Sequence, residues 1–337
     1  MTHPEARDSA GPPREAQVVV VGAGPAGLCA ALSAASLGAQ VVLIDRESRP
    51  GGQLVKQTHM FFGSRGQYAG TRGIDIARIL YGKVLGTGGV EVLLDGTVLG
   101  RYPDSVVTVE RAGRYIKLKP ERLVVATGAS EKVLPFPNND LPGIYGAGAV
   151  QTLMNVHGVR PGERVLMVGA GNIGLIVSYQ LLQAGVEVVG IIEAAPTIGG
   201  YLVHAAKVRR SGVPILTSYT IKEAYGEQAL EGVVVWQLDE RWQPIPGTER
   251  DISVDVVCVA VGLSPLTELL FQAGCEMRYV AELGGHVPTR DDDLQTTVPG
   301  IYVAGDCSGI EEASSAIVEG TLAGASAAAS LGLGGEQ

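Results

Sequence analysis

Three glycines and one acid recur as a set in this chain. Gly22, Gly24 and Gly27 follow the run VVVV, and Asp45 ends the next apolar run; Gly169, Gly171 and Gly174 follow VLMV, and Glu193 ends the run after that. Glycines at this spacing, after a buried strand, suit the binding of a dinucleotide. The first permits a tight turn, the second lets a pyrophosphate approach bare backbone, and the third lets the following helix pack close to the strand. Amide N–H groups and the positive helix end then face the phosphates, at roughly 0.3–1 kcal/mol per exposed charge contact. The acid accepts hydrogen bonds from ribose hydroxyls. Pro25 and Ala26 complete the first turn, and Asn172 and Ile173 the second. One glycine triplet arises easily by chance in an Ala/Gly-rich chain. An ordinary βα turn is the alternative for the first copy, and a Rossmann-like domain that has lost its ligand for the second. Strand, triplet, helix and acid, in register twice, point to one dinucleotide held permanently and a second, or a substitute for it, met in a separate domain. This is the pattern of a redox flavoprotein.

The elements that position these residues follow from hydrophobic runs. Val18–Val21 and Val165–Val168 read as buried parallel strands. After Asp45 the segment RESRPGGQL places Gly51, Gly52 and Gln53 where small residues suit close contact with an extended cofactor. Residues 90–118 read as a β-meander and LVVATGAS, 123–130, as a strand, with Ala126, Thr127 and Gly128 at its end. Residues 131–150, with Pro135, Pro137 and Pro142, read as a linker, and the second domain runs to about 259–265. TTVPGIYVAGDCSG then gives a strand ending in Gly305 and Asp306, followed by a small-residue helix in EEASSAIVEGTLAGASAAAS. The fold class is α/β: two Rossmann-like domains with small β-meanders.

Composition narrows the function class. The 337 residues suggest about two domains. A hydrophobic share of 46%, a charged share of 18% and 47 glycines describe an α/β protein with many tight turns. A net charge of −9 argues against a nucleic-acid partner, which needs a basic face. No apolar run approaches the roughly 18 residues of a membrane span, and residues 1–16 read as a flexible tail without a secretory signal. A cytoplasmic location is expected. Cys29, Cys258, Cys275 and Cys307 are scattered with no CxxC pair, so neither a redox dithiol nor a cysteine-ligated cluster is encoded. Cys29 and Cys258 read as packing residues; Cys307 reads as packing or as a neighbour of a flavin. Thr58, His59, Phe61 and Phe62 follow the glycine pair and read equally as flavin contacts or as packing in an irregular loop, while His157 and His204 read as structural or solvated. Hydride transfer to a flavin depends on orientation more than on a strong acid or base, so the lack of an evident dyad does not argue against an enzyme.

The order of GxGxxG, GGQ, ATG, second GxGxxG and strand-Gly-Asp-helix resembles the two-dinucleotide-binding-domain flavoproteins of thioredoxin reductase type over nearly the whole chain. The resemblance implies FAD on the first fingerprint. It also implies a discontinuous FAD domain, 17–130 with 264–337, into which an NAD(H)-binding-like domain, 131–263, is inserted. It places Asp45 on the adenosine ribose, Gly51, Gly52 and Gln53 along the pyrophosphate and flavin side, and Asp306 on the ribityl or phosphate region. Ser314 and Ser315 would face the flavin from the last helix, and the Ala126–Gly128 turn would lie against the cofactor. Arg46, Leu54, Thr58, Val98, Gly305 and Gly262 are further candidate cofactor contacts. A helix N-terminus aimed at the flavin N1–C2=O edge would stabilise the charge of the reduced state. GIYGAGAVQTLMN, 143–155, stands where those reductases carry CxxC, so disulfide reduction is not expected. Glu193-Ala-Ala-Pro would repel a 2′-phosphate, favouring NAD(H), or another adenine nucleotide, over NADP.

A narrower resemblance lies in PGGQLVKQTHMFFGSRGQYAGTRGID, LPGIYGAGAVQTLMN and GDCSGIEEASSAIVEG. These segments look like the FAD subunits of opine oxidase, hydrogen cyanide synthase, heteromeric sarcosine oxidase and dye-linked proline or hydroxyproline dehydrogenase. That implies one component of an amine or imino-acid dehydrogenase acting on a small molecule, with partner flavin and iron–sulfur subunits or a homo-oligomer. Several relatives add a cysteine-rich C-terminal domain; this chain has none before Gln337, so any cluster is expected on a partner. The alternatives are a self-contained NADH:acceptor flavin reductase and a non-catalytic electron-transfer or scaffold subunit.

Overall fold

The computed structural model describes residues 11–335. Chain contacts divide it into two compact units: Glu131–Leu263, and the chain on either side of it, up to Ser130 and from Ser264 onward.

In the flanking unit, strand Arg14–Val21 lies between Val41–Ile44 and Arg114–Val125, parallel to both, with Val20 opposite Leu43 and Val124. Val90–Leu93 extends the parallel set beyond Val41–Ile44, and Ile301–Val303 pairs parallel with the end of Arg114–Val125. The central stretches of this sheet, Val18–Val21, Val41–Ile44 and Leu123–Val125, are apolar and buried at every position, as a sheet covered on both faces requires. Five strands thus end at one edge, at Val21, Ile44, Leu93, Val125 and Val303. Ligands of open α/β sheets bind outside such carboxyl ends. Gly96–Arg101 and Val107–Arg111 continue the sheet as an antiparallel meander. The helices Pro25–Ser36, Gly73–Gly86 and Ala313–Ala329 carry the remaining apolar surface. Pro25–Ser36 and Ala313–Ala329 meet backbone to backbone: a Cβ on Gly320 or Gly324 would strike the carbonyls of Ala26 and Ala30.

The inner unit repeats the scheme. Its five-stranded sheet is parallel throughout, in the order Ile215–Thr217, Glu187–Glu193, Arg164–Val168, Val256–Val259, Ile144–Gly146. Helices Ala147–Asn155, Asn172–Gln183 and Leu202–Arg210 accompany it, with a separate antiparallel sheet of Tyr219–Tyr225, Gly232–Gln237 and Arg250–Ser253.

Three local expectations change. Arg14–Ala16, read as tail, is strand, because Leu118–Pro120 offers it backbone partners; residues 1–10 of that tail lie outside the described residues. Val90–Leu93 leaves the expected meander for the parallel sheet, and the antiparallel run begins at Gly96, after Asp95 turns the chain with φ of 55°. The expected linker 131–150 contains strand Ile144–Gly146 and the start of a helix, and its Leu134, Phe136 and Leu141 pack into the inner unit's core. Among the described residues no helix is long and apolar enough to cross a membrane.

Candidate functional site

The first fingerprint forms the turn between Val21 and the helix starting at Pro25, with Gly24 as its N-cap. Gly22 has φ of +104°, and a Cβ there would strike the Ala126 carbonyl; a Cβ on Gly27 would strike the Gly22 carbonyl. Fold and packing therefore demand both outer glycines. Gly24 differs. Its backbone is extended (φ −73°, ψ −174°), and an added Cβ would meet only the Gly52 Cα at 3.9 Å. Neither conformation nor packing explains a glycine there, whereas a phosphate approaching the turn does. The second fingerprint repeats this arrangement. Gly169 and Gly174 would each drive a Cβ into backbone carbonyls, while Gly171 (φ −73°, ψ 178°) has nothing within 4 Å of its added Cβ. The residues present therefore fit a pyrophosphate-bearing group at both turns.

The acids are fixed in matching ways. Asp45 accepts the Ala23 N–H at 2.5 Å and the Glu47 N–H at 2.8 Å. Glu193 accepts the Ala170 N–H at 2.7 Å and the Ala195 N–H at 2.9 Å. Burial holds the Asp45 carboxyl above its ordinary range despite those two N–H donors. The glycine pair reaches the first turn directly: the Gly51 N–H donates to the Ala23 carbonyl at 2.7 Å, and a Cβ on Gly52 would lie 2.8 Å from the Gly24 Cα. The Gly200 N–H, absent from the sequence reading, donates to the Ala170 carbonyl at 2.9 Å and repeats the contact in the inner unit. The parallel between GGQLV and GGYLV in the two copies was the signal for it.

The other named residues fall into place by element. Gln53 is exposed and Leu54, the next residue, fully buried. Ala126 is buried, its N–H bonding the Val21 carbonyl at 2.8 Å. Thr127 donates its hydroxyl to the Leu266 carbonyl at 2.6 Å, and Gly128 takes φ of +76° with open space around it. Gly305 packs against the first helix, its added Cβ 2.9 Å from that of Ala26. The Asp306 carboxyl is raised by burial, with Glu319 and Glu311 adding to the effect. Ser314 and Ser315 occupy the first turn of Ala313–Ala329, both half-buried. The Ala126–Gly128 and Gly305–Asp306 turns follow the carboxyl ends of two paired strands of one sheet. Arg46 is exposed and paired with Glu47, and Val98 packs in the meander opposite Val109. Thr58 lies in the loop after the glycine pair, its carbonyl accepting from Arg72. His59 and Phe61 of that loop stack at 5.9 Å. In the inner unit Pro25 has its counterpart in Asn172, whose Oδ1 accepts the Tyr201 N–H at 2.8 Å. Ile173 is partly exposed at the turn, and Gly262 follows strand Val256–Val259 with φ of +112°.

All four cysteines are buried. Burial pushes the Cys29 thiol up to about 11, and Cys307 is fully enclosed with its Sγ on the Val125 and Ala304 carbonyls. His204 is buried on its helix and His157 exposed. The sequence reading missed Glu319, Arg290 and Ser308, which converge beneath the Gly305 turn. A lone acid in an otherwise uncharged helix was the available signal.

The chain is similar to several known proteins. An opine oxidase subunit of Agrobacterium tumefaciens (strain Ach5) is 30% identical over 334 residues, covering 94% of this chain. The chain spans just under two thirds, 66%, of that relative's length. Hydrogen cyanide synthase subunit HcnB of Pseudomonas aeruginosa is 29% identical, covering 90% of this chain and 69% of its own. Thioredoxin reductase of T. acidophilum has the same fold, with a TM-score of 0.77 at 22% identity, covering 94% of this chain and 99% of that one. Residues 16–320 match the pyridine nucleotide-disulphide oxidoreductase family, whose fold binds FAD and NAD(P). With both glycine turns, both acids and both parallel sheets in place, the chain belongs to that family.

Proposed function

We propose that the chain is the FAD-carrying subunit of a multi-subunit dehydrogenase that oxidises the C–N bond of a small amine or imino acid of the sarcosine, proline or opine type. The observation that carries the cofactor assignment is Gly24, whose missing side chain leaves open the approach a phosphate would use and which neither backbone strain nor close packing requires. Gly24 and Gly52 admit the pyrophosphate, Asp45 takes the adenosine ribose, and Asp306 with the start of Ala313–Ala329 faces the ribityl and flavin part. FAD, when bound, accepts the two electrons and the hydrogen lost from carbon in such an oxidation. The relatives named as subunits support a divided enzyme, and the opine oxidase name supports the C–N class. Disulfide reduction is disfavoured: helix Ala147–Asn155 carries no thiol, and the four cysteines are dispersed and buried.

A second reading has its own support. Glu193 is held by two backbone donors just as Asp45 is, so the inner unit is equipped for NAD(H), and a self-contained NADH:acceptor reductase follows. The test is anaerobic addition of NADH, then proline, sarcosine or an opine, to the purified yellow protein. Bleaching by an amino compound, alone or with its co-purifying subunits, supports the first reading. Bleaching by NADH alone, with no response to any amine in the complete complex, overturns it in favour of the second.

A further inference from the structure

We propose that Glu319 is a positioning residue for FAD: its carboxylate, clamped to Arg290, holds the Gly305–Ser308 turn so that Asp306 is presented to the cofactor. The inference rests on the reading that this turn lies against FAD.

Glu319 is the single charged residue of Ala313–Ala329, a helix otherwise built from alanine, glycine, hydroxyl and aliphatic residues. Its Oε2 accepts the Gly305 N–H at 2.8 Å and the Ser308 hydroxyl at 2.9 Å. Its Oε1 accepts from Arg290 Nη2 at 2.7 Å, with the Glu319 and Arg290 side chains only 18% and 31% exposed. A largely buried carboxylate in a helix that needs no charge is a cost unless it is paired and hydrogen-bonded. Here Arg290 neutralises it from a segment bridged at Thr296, leaving the second oxygen for the turn. The Arg290 segment and the Gly305–Ser308 turn are thereby both tied to the last helix through one side chain.

The tied turn is the one that matters. Gly305 packs on Ala26 of the first fingerprint helix. Asp306, the next residue, has its own carboxylate touched by the Glu311 N–H only at 3.5 Å, a long contact for a hydrogen bond. Its direction is therefore set through the backbone, which Glu319 holds at the Gly305 N–H alongside the Ala304 N–H on the Val125 carbonyl and the Ser308 N–H on the Gly305 carbonyl. The carboxylate of Asp306 keeps its acceptor capacity for a ligand.

The test is reconstitution of FAD-stripped protein, with the dissociation constant read from flavin fluorescence. Glu319→Gln keeps the shape and removes the charge; it is expected to raise the FAD Kd about tenfold, the loss of a charge-assisted hydrogen bond. Because the effect runs through Asp306, Glu319→Gln should add less than about twofold in an Asp306→Asn background, a coupling that a general loss of stability would not produce. Arg290→Gln and Ser308→Ala should each weaken FAD by smaller factors, and Arg290→Lys should restore most of the affinity. If Glu319→Gln does not fold, the Arg290 and Ser308 variants decide the question. Wild-type Kd in Glu319→Gln, or full multiplication of the two losses in the double variant, overturns the inference, as does wild-type Kd in both Arg290→Gln and Ser308→Ala. If Asp306→Asn and Gly24→Val also keep wild-type Kd, the underlying FAD reading fails as well; if they lose FAD while Glu319→Gln does not, only the positioning role fails.

Discussion

Gly24→Ala separates ligand binding from folding at a single carbon atom. The added Cβ would sit 3.9 Å from the Gly52 Cα, an ordinary contact, on a backbone whose φ of −73° suits alanine. Replacing glycine by alanine at a compatible position gains about 0.4–1 kcal/mol through the unfolded chain. Alanine is a poorer N-cap than glycine by about 0.5–1 kcal/mol. The two roughly cancel, so the apoprotein should unfold close to the wild-type temperature. A methyl group in the phosphate approach, however, disrupts at least one hydrogen bond to a charged group, about 1.5–3 kcal/mol, which is about a ten- to hundredfold rise in Kd. Apoprotein Tm by circular dichroism and FAD Kd by fluorescence titration give the two numbers. Gly27→Ala supplies the contrast: its Cβ strikes the Gly22 carbonyl, so stability and binding should fall together. A Gly24→Ala protein with wild-type FAD affinity would refute the reasoning, because the glycine would then have no ligand to explain it.

Other expectations follow from the same geometry. Gly171→Ala should abolish NADH quenching of protein fluorescence while leaving FAD content unchanged, since that Cβ also meets open space. Gly320→Ala should lower Tm: the gain in helix propensity, about 1 kcal/mol, is outweighed by driving the Ala26 backbone away, about 1–3 kcal/mol or more. Burial raises the Asp306 carboxyl, so the folded apoprotein holds that proton more tightly than the unfolded chain, and stability is lost as pH rises through the window above the ordinary carboxylate value. Asp306→Asn should accordingly raise apoprotein Tm at pH 7, and the gain should shrink towards pH ~4; a gain that grows on acidification contradicts the assignment. Native protein should not react with a thiol reagent near pH 8, because the four buried thiols stay protonated, and should react fully once unfolded.

Much of the candidate site was legible because it is local. Each fingerprint spans a strand, a turn and a helix start, and Asp45 and Glu193 are one βα unit away, so spacing alone located them. The turns at Ala126–Gly128 and Gly305–Asp306 were readable as strand ends. What sequence did not show depends on distant partners. Arg14–Ala16 becomes strand only because Leu118–Pro120 lies beside it, and Val90–Leu93 chooses Val41–Ile44 over the nearer meander. Ile144–Gly146 is ordered by Val257–Val259, which lies far along the chain. Arg290 and Glu319 carry no local pattern at all; only the three-dimensional turn brings them to Gly305. The close approach at Gly320 and Gly324 was visible only as a run of small residues.

The most direct test of the account is the flavin content of three proteins: wild type, Gly24→Val and Gly171→Val, each saturated with FAD and freed of excess. The account predicts one FAD per chain in the wild type and in Gly171→Val, and none in Gly24→Val. FAD kept by Gly24→Val, or lost only from Gly171→Val, would contradict it.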